Sequence, residues 1–293
     1  MQDSGNSSMS TTPINVISNL LLIILALLGM GITACNESSL DQTKSKESFN
    51  ENRQFREGVT EGLLQTMALI PEGEFLFGND NPDTESIPLQ LQKVRKWGKD
   101  QMPQQKIMLQ AFYMDRYEVT NEQYRKFDRN HSFSLGNNGN PVVNVRWFKA
   151  KTYCESLGKR LPTEMEWEKA ARGPNGNQFP WGNKFDPQKA NTGFSKLSST
   201  SPVGTFPGDA SYYNVYDMAG NVTEWTYSWY QPYKGSDFKN SKFGLTYKVA
   251  RGGSFQDMGH YELEIFSTTT FRYYNKPDEW GGDTGFRCAK DAQ

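Results

Sequence analysis

The chain has 293 residues, and its 32 basic and 33 acidic side chains leave a formal net charge of −1. A balance this close to neutral argues against electrostatic capture of nucleic acid, which needs a basic face, so we expect no nucleic-acid partner. The 26 glycines, 14 prolines and 13% aromatic residues are typical of a loop-rich domain and argue against a helical bundle, which would contain more Ala and Leu.

The amino end carries a candidate export signal. Residues 20–32 are apolar over the length of a signal-peptide core and are too short for a comfortable membrane span. They lead into Thr33, Ala34 and Cys35, which resemble a bacterial lipobox, where small residues precede a cysteine that becomes lipidated. We therefore expect residues 1–35 to be a lipoprotein signal peptide with lipidation at Cys35, or alternatively an uncleaved anchor helix. Both interpretations place the following domain outside the cytoplasm, anchored to the membrane of the bacterial cell envelope.

The next segment, residues 36–65, is polar and contains no Trp, Tyr or Pro. A segment of this composition cannot bury enough apolar surface to fold alone. It predicts a flexible linker between the membrane and a domain that we expect over residues 66–291.

Strand patterns open that domain. Residues 67–78 predict strand structure around a Pro-Glu-Gly turn, with Phe75 and Phe77 on one face. Residues 79–103 are polar and irregular and predict a surface loop, whereas residues 105–119 alternate enough to form strands.

Two capping boxes predict helix starts. In each, a threonine is followed three residues later by Gln or Glu: Thr120 with Gln123, and Thr163 with Glu166. A further helix between them should end at Gly158, since glycine is favoured just after a helix. Helical spacing predicts these buried side chains: Tyr124, Phe127, Trp147, Ala150, Cys154, Leu157, Trp167, Ala170 and Ala171.

Four segments together resemble one known family. They are WFKAKTYCESLGKRLPTEMEWEKAARG at 147–173, NVYDMAGNVTEW at 214–225, RGGS at 251–254 and GFRC at 285–288. These segments resemble the formylglycine-generating enzymes, also called sulfatase-modifying factors. The resemblance implies an α+β protein with the formylglycine-generating-enzyme fold, which is C-type lectin-like and loop-rich with little regular secondary structure.

The resemblance also places Asp257 and Glu262 where the active enzymes carry two cysteines. Those enzymes bind copper through two thiolates, and soft Cu(I) prefers sulfur, whereas carboxylates are hard donors. We therefore expect neither copper nor the oxidation of a substrate cysteine. The alternatives at Asp257, His260 and Glu262 are a different metal redox site, an acid–base pair, or a solvated polar loop.

Two cysteines follow Cys35, namely Cys154 and Cys288. Buried cysteines of one exported domain tend to pair, although two separate buried thiols are an alternative. The family that the chain resembles joins these two positions by a disulfide, which would leave no thiolate pair for copper.

A calcium site is implied by the resemblance at the turn GNVTE, residues 220–224. Asn221, Glu224 and the Val222 carbonyl offer the hard oxygen ligands that calcium takes. The alternative is a turn whose Asn and Glu satisfy backbone donors. A second family calcium site begins near Asn191, but its acidic partner is missing here, so that site is not expected.

The function implied by these residues is binding rather than catalysis. Ser254 and Trp225 match positions that line the enzymes' peptide groove, although a turn serine and a core tryptophan are equally good interpretations. We expect a membrane-tethered, extracytoplasmic lipoprotein that binds a protein or peptide partner or serves in envelope assembly. The alternative is an oxidoreductase of the formylglycine-generating type that acts on a sulfatase cysteine.

Overall fold

The computed structural model describes residues 65–82, 98–256, 263–279 and 281–292. All of them belong to one compact unit, Arg56–Gln293. The predicted signal peptide with Cys35 and almost all of the predicted linker lie outside the described residues. Among the described helices, none combines the length and the hydropathy that crossing a membrane requires.

Short strands, three short α-helices and three 3-10 segments (Lys99–Gln101, Gly193–Ser195 and Glu264–Ser267) make up the regular structure of the described residues. The strands are β1 (Met67–Ile70), β2 (Gly73–Phe77), β3 (Gln105–Leu109), β4 (Phe112–Asp115), β5 (Thr223–Trp229), β6 (Lys248–Arg251), β7 (Tyr273–Asn275), β8 (Thr284–Gly285) and β9 (Ala289–Asp291). The α-helices are α1 (Asn121–Phe127), α2 (Trp147–Ser156) and α3 (Glu164–Arg172). This mixed composition, with long irregular stretches between elements, confirms the expected α+β class.

The strands form three small sheets. β1, β4 and β9 form one sheet in that order, and β2 pairs with β3 in a second. The third sheet has the order β7-β6-β5-β8, in which β8 runs parallel to β5 and the other pairs are antiparallel. Since β5 pairs with β6 on one side and with β8 on the other, the segment after β6 and the segment before β8 lie close together.

Both predicted capping boxes are present. The Thr120 side chain accepts from the Gln123 backbone N–H while the Gln123 side chain accepts from the Thr120 N–H, at 3.3 and 2.9 Å. Thr163 and Glu166 do the same at the start of α3. These interactions satisfy backbone donors that a helix start otherwise leaves unpaired.

The packing of α2 corrects one sequence expectation. Trp147, Ala150 and Cys154 are buried as predicted, but Leu157 is 53% exposed, and Tyr153 takes a place in the core. The helix ends at Ser156, and Leu157 already has non-helical dihedral angles, so helical spacing no longer applies to it.

The predicted surface loop 79–103 also needs correction in its last part. Residues 83–97 lie outside the described residues, but Lys99–Gln101 form a 3-10 turn in which Asp100 and Gln101 are buried. The Tyr230 hydroxyl donates to the Asp100 carboxylate at 2.6 Å. This segment is therefore packed into the domain.

Candidate functional site

The site suggested by the sequence begins where β6 ends. Gly252 has a left-handed φ of 81°, and a Cβ on Gly253 would lie 2.4 Å from the Ala219 carbonyl oxygen. Only glycine fits such an approach between two backbone segments, which explains the Gly-Gly pair. The chain then presents Ser254 at the base of the following loop.

Ser254 is held by a polar partner that the sequence reasoning missed. Its hydroxyl donates to the Asp283 carboxylate at 2.6 Å and accepts from the Gln256 N–H at 3.2 Å. Asp283 reaches this position because its carbonyl accepts from the Thr223 N–H, just before β8 pairs with β5. Asp283 follows a Gly-Gly pair, yet that pattern carried no specific signal for this contact.

The positions of the family's cysteine pair lie in the part of the loop that the structure does not describe. Asp257, His260 and Glu262 lie outside the described residues, so the polar-loop and metal alternatives stay predictions. The chain is described again from Leu263, and Leu263, Ile265, Phe266 and Phe271 form a small apolar cluster of their own.

Both ends of this loop are fixed to α3 by buried ion pairs. At the first end, Arg251 pairs with Glu168 and donates to the Thr269 and Thr270 carbonyl oxygens at 2.8 and 2.9 Å. At the other end, Arg272 donates to both carboxylate oxygens of Glu164, at 2.6 and 3.0 Å.

We call the buried set of Glu164, Glu168, Arg172, Arg251 and Arg272 the arginine–glutamate network. Arg172 joins it through Glu168 at 3.0 Å and also donates to the carbonyl oxygens of β2 and the residue after it. Burial lowers the pKa of Arg272, but Glu164, Tyr233 and Asp100 together outweigh this effect and raise the pKa overall. The network holds both stems of the loop on one helix.

Trp225 does not line a groove. Its side chain is completely buried, its indole N–H donates to the Val145 carbonyl oxygen at 2.8 Å, and it packs with Trp147, Phe286 and Cys288. Of the two interpretations considered for this residue, the core tryptophan is the correct one. The reason is the alternation of β5, which turns Trp225 toward α2 and Glu224 toward α3.

Two of the three predicted calcium ligands, the side chains of Asn221 and Glu224, are already occupied by protein partners, and the third is the Val222 carbonyl oxygen. The Asn221 side-chain oxygen accepts from the Ser201 N–H at 3.0 Å, and the Glu224 carboxylate accepts from Arg287 at 2.7 and 2.6 Å and from the Trp167 indole N–H at 2.8 Å. In this arrangement Asn221 and Glu224 present no free oxygens to a hard cation, so these residues do not fit calcium.

A second buried polar set surrounds the same turn. It consists of Glu118, Asp209, Asp217, Glu224 and Arg287, and we call it the acid cluster. Arg287 is engaged with Glu224 and with the carbonyl oxygens of Asp115, Arg116 and Tyr216. Its one guanidinium therefore faces four carboxyl groups.

Three of these carboxyl groups take up protons more readily than usual. Burial raises the pKa of Asp217 to about 6. Burial also raises the pKa values of Glu118 and Asp209, and the nearby charge of Asp217 raises both further. Glu118 lies beside the Asp217 carboxyl group, and no donor in the described part of the chain hydrogen-bonds to either Glu118 oxygen. An ionised Glu118 would be an unpaired buried charge, so burial favours its neutral form.

The predicted disulfide is present. Cys154 of α2 is joined to Cys288, just before β9, across 134 residues. This pairing uses both cysteines of the described residues, and no group of three or more His, Cys, Asp and Glu side chains in that part of the chain is placed to hold a metal ion.

Comparisons with known proteins agree on one family. A family model described as a sulfatase-modifying factor enzyme 1-like domain matches residues 54–292. An inactive C-alpha-formylglycine-generating enzyme 2 of Mus musculus is 30% identical over 77% of this chain and 86% of that protein, and a formylglycine-generating enzyme of Mus musculus is 29% identical over 80% and 78%. Among solved structures, PvdO from Pseudomonas aeruginosa superposes with a TM-score of 0.61 at 25% identity, over 77% of this chain and 94% of that one.

Proposed function

The chain belongs to the sulfatase-modifying factor family, and we propose that it is a binding member of that family which does not oxidise cysteine. The expected formylglycine-generating-enzyme fold is confirmed by the family match and the structural neighbour. Sequence identity does not show whether this chain oxidises cysteine, since a formylglycine-generating enzyme and a protein named inactive are about equally similar to it. The choice therefore depends on this chain's own residues.

The observation that carries the proposal is that Cys154 and Cys288 are joined in a disulfide while Asp257 and Glu262 replace the family's cysteine pair. Copper chemistry of the family's kind needs a thiolate pair, and a disulfide offers none. Carboxylates stand at positions 257 and 262, and the third cysteine of the chain is Cys35, far away in sequence. The sequence of the loop therefore contains no cysteine that could bind Cu(I).

A binding role is supported by how that loop is held. The arginine–glutamate network fixes its two stems on α3, and the Ser254–Asp283 hydrogen bond fixes its base. Fixed stems reduce the conformational entropy that their own residues lose when a partner binds beside them. We propose that the partner is a protein or peptide and that it contacts the chain beside Ser254.

The place of action is part of the same proposal. The lipobox-like residues before Cys35 support a lipid-anchored protein in the bacterial cell envelope, outside the cytoplasm. Labelling with a clickable fatty acid, compared between wild type and C35A, tests the anchor. Labelling that persists in C35A would contradict it.

Site-specific photo-crosslinking of the full-length protein in its membrane tests the binding site. A crosslinker at the exposed position Gln256, next to Ser254, should capture a discrete partner. The matched control is Lys126 on α1, whose side chain is 74% exposed. Equal products from both positions, or none from Gln256, would contradict binding beside the loop.

The second candidate function is the family's oxidation chemistry, which the similarity to the mouse enzyme favours. Incubation of the purified protein with copper and a sulfatase-type Cys-x-Pro-x-Arg peptide tests it. We expect no aldehyde, because the loop lacks a thiolate pair. Conversion of the peptide cysteine to an aldehyde would overturn the proposal.

A further inference from the structure

Lys248, the first residue of β6, has an unusual environment for a lysine. Only 2% of the residue is exposed, and its Nζ lies 3.7 Å from the ring centroid of Trp229, 4.0 Å from that of Trp147 and 5.1 Å from that of Tyr227. The Nζ donates to the Tyr227 carbonyl oxygen at 2.8 Å. We call Trp147, Tyr227 and Trp229 the aromatic cage.

The charges around the cage do not neutralise the lysine. On α2, Lys151 is paired with Glu155 at 2.5 Å, and beyond β7, Lys276 is paired with Glu279 at 2.7 Å. Among the described residues, no carboxylate forms an ion pair with Lys248. Burial, and then the charge of Lys151, lowers the pKa of Lys248 to about 8.

The cage has a fixed inner wall and an accessible outer wall. The Trp147 indole N–H donates to the Thr226 carbonyl oxygen at 2.7 Å, which holds that ring in place. Tyr227 is 47% exposed, and Phe148, whose ring packs edge-on against Trp147, is 54% exposed. Rotation of the Tyr227 side chain would therefore open the cage to solvent.

We propose that the aromatic cage is a binding site for a quaternary ammonium group and that Lys248 covers it as an internal occupant. A primary ammonium gives up much hydration when it enters such a site, and it recovers one hydrogen bond here. A quaternary ammonium has no N–H groups to satisfy and interacts with aromatic faces through its charge and its methyl groups. It is therefore the better occupant once the lysine side chain moves outward.

Removal of the lysine side chain tests the proposal. K248A opens the cage, whereas K248M fills it with an uncharged chain of similar length and is the matched control. Choline and its neutral isostere 3,3-dimethyl-1-butanol are the probes, and tryptophan fluorescence of the full-length protein is the readout. K248A should bind choline at least about tenfold more tightly than either K248M or the wild type does.

The neutral probe decides the outcome. If folded K248A binds choline no more tightly than 3,3-dimethyl-1-butanol, the cage does not recognise the cation and the proposal is overturned. Phosphatidylcholine vesicles in place of free choline show whether a lipid headgroup or a soluble ligand is the source, and binding of either supports the site. If K248A fails to fold, the choline affinity of the wild type is measured at pH about 7 and about 9. At the higher pH the lysine is neutral and competes less for the cage, so choline should bind more tightly. Equal choline affinity at both pH values would overturn the proposal.

Discussion

The arginine–glutamate network and the acid cluster are both buried, but they handle charge in opposite ways. In the network, three guanidinium groups face two carboxylates, and every ionised group has a partner of opposite charge. In the acid cluster, one guanidinium faces four carboxyl groups, and the pKa values of Glu118, Asp209 and Asp217 are raised. The first set is held together by ion pairs, and the second depends on bound protons.

The difference follows from what each set supports. The network fixes the stems of the loop that carries Ser254, which requires directional contacts to several carbonyl oxygens. The acid cluster lies behind the turn at Gly220, where the Asn191 carbonyl oxygen would be 2.5 Å from a Cβ. Besides Arg287, the carboxylates there serve backbone donors: Asp209 accepts from the Ala219 N–H and Asp217 from the Gly204 N–H.

The largest expected effect comes from breaking the network at Glu168. This carboxylate is fully buried and serves both Arg172 and Arg251. E168Q should reduce the free energy of unfolding by about 3–5 kcal/mol, because it leaves buried guanidinium charge without its counter-charge. Chemical denaturation measures the loss.

The matched control for this change is E122Q on α1, where Glu122 forms an exposed pair with Lys126 at 3.5 Å. It should change stability by at most about 0.5 kcal/mol. A loss below about 1 kcal/mol in E168Q would show that the network does not carry the loop stems in the way described.

The next effect concerns the covalent link beside the acid cluster. Cys288 follows Arg287 directly, and its N–H donates to the Asp115 carboxylate at 3.1 Å. C154S/C288S should lower the free energy of unfolding by about 2–5 kcal/mol. Thermal unfolding with and without reductant measures it, and a wild type whose melting is unchanged after verified reduction would refute the expectation.

Sequence predicted those features whose cause is local. The capping boxes at Thr120 and Thr163 and the buried face of α3 follow from spacing within a few residues. The disulfide followed from the family resemblance and not from spacing. Neither buried charge set was predicted, because Arg272 and Glu164 are 108 residues apart and no local pattern signals their contact.

The candidate site was predicted only in part, for similar reasons. The family resemblance points to Ser254, but no local pattern points to its partner Asp283, which is 29 residues away. The matched position leaves a groove and the core equally open for Trp225, and strand alternation decides which face it occupies. The resemblance implies calcium at Glu224, but the sequence does not show that Arg287 takes its carboxylate oxygens.

A pH titration tests the protons of the acid cluster. The folded pKa of Asp217, about 6, lies above its ordinary value of 3.8, so the folded state binds a proton that the unfolded state releases. This contribution to stability is complete below pH about 4 and is lost as the pH rises through about 6. D217N should remove roughly 1–3 kcal/mol of that pH dependence, measured by denaturation at several pH values. An unchanged slope would mean that Asp217 is ionised in the folded protein.

The smallest expected effect comes from E118Q, which makes the same chemical change as E168Q in the other buried set. A glutamine has nearly the shape of a protonated glutamic acid, and its amide can donate to the Asp217 carboxylate as the carboxyl proton does. If Glu118 is neutral, E118Q should therefore change the free energy of unfolding at pH 7 by less than about 1 kcal/mol. A loss as large as that of E168Q would show that Glu118 is ionised and paired, which would erase the contrast between the two sets. Denaturation of the two variants side by side, under one buffer condition, decides between these outcomes.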